Sequence, residues 1–304
     1  MPAIDRPAST PGPAVSGVAI VMGALCLSFT AIVVKVAGVD AATTAVLRCA
    51  LALVPLLPLA LRERRRRGAL SVRGMWWALA AGAALGLDYA AWTASIYHVG
   101  AGMSTVLINV QVIVLPLLAF AVDREQVPRR FLAMTPVMLG GIALVGGVAG
   151  GPTTVTSVTG TTLGVAAGVG YAIYLFLTRR TSRVEPRRAI QQLTWATVAA
   201  TVAAAVVAPL SGGVSVSGIS PRQWWLLATL AGVGQVLSWL LIHYGSARLT
   251  AARTSALLLT QPILAVALAA VILGEHPTAL QLAGVVLVLC CVAVVTDVWR
   301  TRRP

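Results

Sequence analysis

Charge is what this sequence has least of. Charged side chains make up 11% of its 304 residues, under half the rough quarter of a soluble domain. So little charge cannot cover a globular surface, which excludes a water-soluble enzyme and a disordered chain alike. Acidic residues are the scarcer sign, 9 against 23 basic, and Lys35 is the single lysine. Cysteine is sparse too. Cys26, Cys49, Cys290 and Cys291 all fall in apolar runs. Adjacent Cys290 and Cys291 point to different helix faces, so all four read as small apolar filler. No P-loop, nucleotide-binding glycine pattern or His/Cys metal spacing occurs. No cofactor is therefore expected, and energy from ATP would have to come from another chain.

What the sequence has is long apolar runs. Hydrophobic residues make up 58% of the chain, and mean hydropathy is +0.87. A helix needs about 20 mostly apolar residues to cross the hydrocarbon core. Ten such runs occur, over 15–36, 43–61, 75–97, 102–122, 131–149, 160–178, 190–210, 223–244, 251–273 and 279–298. A closed β-barrel would need strict in/out alternation, which stretches such as Leu139–Val148 lack. A helix satisfies its backbone within its own segment. The fold class expected is an all-α polytopic membrane protein with ten transmembrane helices.

The arginines mark the edges of these runs. With the N-terminus inside, twenty of the twenty-three basic residues fall in inside segments. These include Arg62, Arg64–Arg67 and Arg73 after the second run, and Arg179, Arg180, Arg183, Arg187 and Arg188 after the sixth. The outside loops hold Arg222 alone. This is a strong positive-inside signal, and it places both termini in the cytoplasm. The charge forms no continuous face, so nucleic acid is excluded as a partner. The Arg64–Arg67 cluster suits anionic lipid, although topology alone accounts for it. Residues 1–14 are Pro-rich and read as a disordered tail; 299–304 form a second cytoplasmic tail. Abundant Ala and Arg with scarce Lys points to a GC-rich bacterial genome, and so to the plasma membrane.

The chain repeats itself. A shift of 150 pairs 101–145 with 251–295 without a gap, matching Gln111 with Gln261 and Glu125 with Glu275. A shift of 148 pairs Trp76-Trp77 with Trp224-Trp225. Because each copy holds an odd number of helices, five, the second copy must enter the membrane from the opposite side. Two inverted five-helix repeats around a midplane site are a device for alternating access.

These residues carry a family resemblance. Each half, about 15–149 and 160–298, resembles an EamA domain of the drug/metabolite transporter superfamily. The second half shows Thr254-Ser-Ala-Leu-Leu-Leu-Thr-Gln-Pro262, then Leu273-Gly-Glu275 and Gly284. The first half is more diverged: it reads Asp123-Arg-Glu125, has Val112 for the proline and Met134 where the other half has Gly284. The resemblance implies a central cavity and secondary transport of small metabolites, often export. It does not choose among amino acids, purines, sugars and drugs.

Polar residues inside the runs are the candidates for touching a solute. Ionisable groups there are costly and face a cavity or a partner. Asp88 is the sharpest; its repeat partner is Val236, so the scaffold does not demand it. Such a carboxyl can carry a proton or hold a cationic group; the alternative is a packing carboxylate paired with an arginine. Asp88, Trp92 and Ser95 share a helix face. Gln235, Trp239 and His243 make a corresponding stripe in the eighth run. Ser104 and Gln111 share a face that Thr254 and Gln261 repeat, and Asn109 adds an amide. Tyr171, with Tyr174 three residues on, offers a hydroxyl. For Gln111, Gln235 and Gln261 the alternative is interhelical hydrogen bonding, and for Trp239 packing; for Tyr171 it is ordinary packing. Lys35 and Arg48 lie near span ends, where snorkelling to the headgroups is the default. The alternative makes Arg48 a gate, an anion partner or the counter-ion of Asp88. Glu125 and Glu275 read as helix-end or gating structure.

The function expected is a secondary transporter of small metabolites or drugs, an exporter, coupled to H+ through Asp88. Na+ is an alternative coupling ion. The partners are a small-molecule substrate and the bilayer; the oligomeric state is open. A non-transporting structural or regulatory protein on the same scaffold is the alternative. An intramembrane enzyme has no nucleophile–base or metal constellation to support it.

Overall fold

The computed structural model describes residues 13–124, 129–145, 155–185, 187–246, 257–258 and 260–295. Among these every regular element is helical. The first half contributes α1 (Pro13–Ala37), α2 (Ala41–Arg67), α3 (Val72–Val99), α4 (Ala101–Leu107), α5 (Gln111–Asp123) and α6 (Arg129–Val145). The second contributes α7 (Val155–Val184), α8 (Ala189–Val207), α9 (Pro221–Thr229), α10 (Ser238–Ser246), α11 (Thr260–Leu273) and α12 (Ala279–Val295). Thr254, Glu125 and the side chain of His243 lie outside the described residues, as do nearly all of the N-terminal tail and the C-terminal tail.

Among the described residues six helices are long and apolar enough to cross a membrane, over Ala14–Ala37, Ala41–Arg67, Ala101–Asp123, Thr156–Ser182, Ala189–Ser211 and Pro221–Ile242. Three shorter apolar helices cover Phe131–Val145, Thr260–Leu273 and Ala279–Val294. Helix α3 has 28 residues, about 42 Å at 1.5 Å each, but is not among the six. Its apolarity is diluted by Asp88, Tyr89, Trp92 and Ser95, all buried. Large apolar residues face outward elsewhere: Val54, Val206 and Val271 are 71%, 71% and 84% exposed. In water such a surface would be a liability; against lipid it is the expected exterior.

Helix ends follow local rules. Asp40 caps α2 by accepting from the Thr43 backbone N–H at 2.8 Å, so the helix starts two residues before the apolar run suggests. It then continues through the arginines to Arg67. Ser71 caps α3 at Gly74 N–H (3.1 Å), and Ser220 with Gln223 forms a capping box at α9.

Two irregularities interrupt the spans. Ile108–Val110 is a 3₁₀ turn between α4 and α5, where the Asn109 amide donates to the Thr105 and Val106 carbonyls at 3.1 and 3.2 Å. That side chain covers carbonyls which the tightened turn leaves exposed. Leu230–Leu237 is π-helical and joins α9 to α10.

The two halves grip each other reciprocally. Helix α3 packs on α7 and α8, while α9, the π segment and α10 pack on α1 and α2. Helices α4 and α5 meet α7 as α11 meets α1; α2 meets α8 and α6 meets α12. Exchanging the halves leaves this pattern unchanged, the mark of a two-fold interface. At its edge Gly141 and Gly284 lie backbone to backbone: a Cβ on Gly284 would come within 2.7 Å of the Gly141 carbonyl. Small residues permit such approach between apolar helices.

Candidate functional site

A cavity of about 40 Å3 lies between the halves, room for a few waters. Helices α1, α2 and α3 and the 3₁₀ turn wall it from one half, with Thr30, Arg48, Asp88, Tyr89, Trp92 and Ile108. Tyr171 of α7, Trp239 of α10 and Gln261 of α11 close it from the other.

Arg48 is the residue that position alone misjudges. It does not snorkel: it is 1% exposed, two turns inside α2. Its guanidinium carbon lies 3.8 Å from the Tyr89 ring centroid and 5.6 Å from that of Trp92. Cation–π attraction strengthens where water is excluded, and it offsets part of the cost of burying this charge. Asp88, 2% exposed, supplies the opposite charge on the same wall. No ion pair joins them. Arg48 Nε and Nη1 and Asp88 Oδ1 have no hydrogen-bond partner among the described residues.

The Tyr89 ring is held from behind. Its hydroxyl donates to Gln235 Oε1 at 2.5 Å and accepts from Trp239 Nε1 at 3.4 Å. Gln235 Nε2 donates onward to Thr197 Oγ1 at 3.3 Å, and Thr197 to the Leu193 carbonyl at 2.8 Å. Three buried side chains thus orient one aromatic face beneath the guanidinium. Gly234, in the π segment, makes room for this: a Cβ there would overlap Thr30 and lie 3.6 Å from Arg48 Nη2. On the far wall Tyr171 stacks with Tyr174 (centroids 6.2 Å, 12°), and Trp239 meets both edge-on at 6.1 and 5.4 Å.

Of the residues singled out in the sequence, Asp88, Trp92, Tyr171, Trp239 and Gln261 line the cavity. Four others do not. Ser104 is fully buried and donates to the Trp92 carbonyl at 3.4 Å. Asn109 serves its own helix. Gln111 is half-buried off the wall, with Oε1 unpartnered among the described residues. Gln235 stands behind Tyr89. Ser104 is taken up by the Trp92 carbonyl, and Gln235 by the Tyr89 hydroxyl, which Trp239 reaches as well. Tyr89 and Thr30 are wall residues outside the sequence candidates, and Arg48, for which snorkelling was the default and a gate, anion-partner or counter-ion role the alternative, joins them there. For Arg48 the usable signal was Asp40: a cap there puts Arg48 well inside the helix.

Two ties between the halves stand at opposite ends of the fourth span. Glu275 accepts from the backbone N–H groups of Ala101 (2.8 Å) and Gly102 (3.2 Å), covering the start of α4. This is the helix-end role expected of it. At the other end Asp123 pairs with Arg180 of α7, whose guanidinium lies over Trp77 and Phe176 at 5.3 and 4.9 Å. Among the described residues no His/Cys/Asp/Glu group of three or more is placed to hold a metal.

No curated protein sequence matches the chain. One solved structure, titled "Crystal structure of protein", is 16% identical, covers 95% of this chain and 99% of its own, and superposes with a TM-score of 0.63. That likeness concerns the fold alone. The EamA-like transporter family matches twice, over residues 16–147 and 158–297. With both halves of the chain matched, the protein belongs to the EamA-like transporter family.

Proposed function

We propose that the chain is a secondary active transporter that exports small metabolites or drugs by alternating access across a bacterial plasma membrane. In this reading it has ten spans, two inverted five-helix repeats (15–149 and 160–298) and both termini in the cytoplasm. The supporting observation is the cavity between the halves, walled from both and lined by two buried ionisable side chains, Arg48 and Asp88, with polar atoms that have no hydrogen-bond partner among the described residues. A stable scaffold gains nothing from orphaned polar atoms; a site that waits for a solute does. The reciprocal contacts between halves supply two equivalent ways of rocking one against the other. The broken fourth span and the π segment sit beside the cavity, where irregular backbone concentrates at working sites.

Asp88 is the proposed coupling group. In one orientation it holds a proton, in the other it gives that proton up and holds the solute's cationic group, so proton entry drives solute exit. Arg48 supplies the compensating charge. Purified protein in liposomes loaded with a metabolite extract tests this directly. Solute loss that accelerates when protons flow inward is the expected result. Absence of any solute flux, with or without a pH gradient, contradicts it.

A further inference from the structure

We propose that the corner between α2 and α3 binds an anionic phospholipid, its phosphate held by Arg62, Arg65 and Arg73 with Trp76 beside them. The site lies apart from the cavity and is independent of the transport reading; it rests only on the chain's lying in a bilayer.

Two outward stripes converge on this corner. At about 100° per residue, Val54, Leu57, Leu61 and Arg65 share one face of α2, and all four are exposed. The apolar part of the face ends one turn before Arg65, with exposed Arg62 at its flank. On α3, Val72, Arg73, Trp76 and Leu87 form a second exposed stripe, and Trp76 is 64% exposed. Only Gly68–Ser71 separates the two helices, so Arg62, Arg65, Arg73 and Trp76 all lie within two turns of the same corner. A face that turns from apolar to basic, with a tryptophan at the change, is one that leaves the hydrocarbon at the headgroups.

The inner side of the corner is bonded to the other half. Buried Glu63 accepts from the Gln191 backbone N–H at 2.9 Å. The Gln191 side chain accepts from the Leu70 N–H and donates to the Gly68 carbonyl, at 3.2 and 3.1 Å. Arg188 donates twice to the Arg67 carbonyl, at 3.1 and 2.9 Å. These bonds fix the rotation of α2, and with it the direction in which Arg62 and Arg65 leave the helix. The arginines therefore stand on a rigid platform.

The charge on that platform is uncompensated. Arg67 pairs with Glu63, Arg180 with Asp123 and Arg188 with Glu185. Arg62, Arg64, Arg65, Arg66 and Arg73 have no ion pair among the described residues. Like charges three or four residues apart weaken a helix, and Arg62–Arg65, Arg62–Arg66 and Arg64–Arg67 are such pairs. Helix α2 nevertheless runs through them to Arg67 and ends on a Gly68 cap. Orientation requires basic residues near a span end; it requires neither an unpaired cluster nor a helix carried through one. A counter-charge from outside the chain supplies what is missing. A lipid phosphate fits, because the guanidinium fork matches its oxygens, Trp76 sits at headgroup level and acyl chains follow the stripe from Leu61 to Val54. A soluble anion would leave that stripe and Trp76 without a role.

The test measures melting of the full-length protein in neutral detergent with added phosphatidylglycerol, phosphatidylcholine of the same acyl chains, or glycerol 3-phosphate. Phosphatidylglycerol should raise the wild-type melting temperature by roughly 4 °C or more, and the other two by less than half of that. Arg62→Gln/Arg65→Gln/Arg73→Gln should lose most of the shift. Arg300→Gln/Arg302→Gln/Arg303→Gln removes the same charge from the C-terminal tail and should keep it. A corner variant with the full shift, or a tail variant that loses as much, overturns the proposal. So does an equal shift from phosphatidylcholine, or from glycerol 3-phosphate, which would mark a site for a soluble anion. Native mass spectrometry of the wild type needs no variant: phosphatidylglycerol should be retained in preference to phosphatidylcholine, and equal retention overturns the site. Neither readout involves transport. A lipid shift without solute flux sinks the transport reading alone, and flux without the shift sinks this one alone.

Discussion

The guanidinium of Arg48 lies 3.8 Å from the centre of the Tyr89 ring, and the hydroxyl of that ring is held by Gln235 at 2.5 Å. A charge two turns inside a membrane helix is thus supported by an aromatic face, and the face by a buried amide from the other half of the chain. Tyr89→Phe separates the two functions. It keeps the ring under Arg48 but strips Gln235 of its donor, leaving a buried acceptor unmet at a cost of about 1–3 kcal/mol. Thermal unfolding in detergent should show that loss, while solute binding falls far less than in Tyr89→Ala.

Gly234 is a second point of close approach. A side chain there runs into Thr30 and toward Arg48 Nη2. Gly234→Val should cost about 1–3 kcal/mol through overpacking and abolish transport, since the displaced group forms the cavity wall. Paired melting and flux measurements on the variant check both effects. Normal melting with normal flux would show that α1 and α2 can yield there.

Glu275 holds the start of α4 from across the interface. Glu275→Ala should lower stability by about 1 kcal/mol, the usual worth of a helix N-terminal cap. Glu275→Gln, which keeps an acceptor oxygen, should recover part of it in the same melting assay.

Away from the spans, Glu185 predicts an acid-sensitive tie. Burial alone would push its carboxyl up, but hydrogen bonds from Ser71 and the Arg188 guanidinium, at 3.1 and 2.5 Å, hold it below the usual carboxylate range. The unfolded value, about 4.3, is then the higher one. The stabilisation is therefore fully present above that value and is lost as pH falls through the folded one. Between neutral pH and about pH 3 the wild type should lose more melting temperature than Glu185→Gln.

The helical class, the two halves and the cavity-facing Asp88 and Trp92 were legible in the sequence because α3 is a regular helix and obeys its 3.6-residue period. Ser104 and Gln235 were misplaced because a helix face does not say which partner its hydroxyl or amide meets: Ser104 donates to the Trp92 carbonyl and Gln235 accepts from the Tyr89 hydroxyl. Neither partner is written in the hydrophobic pattern. Arg48 was hidden differently. Hydropathy starts the second span at Thr43, five residues before Arg48, whereas the Asp40 cap starts the helix at Ala41, two turns before it. Reading the cap before the apolar run moves Arg48 from the membrane edge to the interior.

The proposed transport carries a solute through this cavity in exchange for a proton held by Asp88. Its most direct test records solute efflux and proton entry together in liposomes containing the wild type or Asp88→Asn at matched protein content. The wild type should move both, with efflux accelerated by an inward proton gradient. Asp88→Asn should move no protons, and any remaining solute flux should ignore the gradient. An Asp88→Asn protein that still exchanges protons for solute, with the wild-type pH dependence, would contradict the claim.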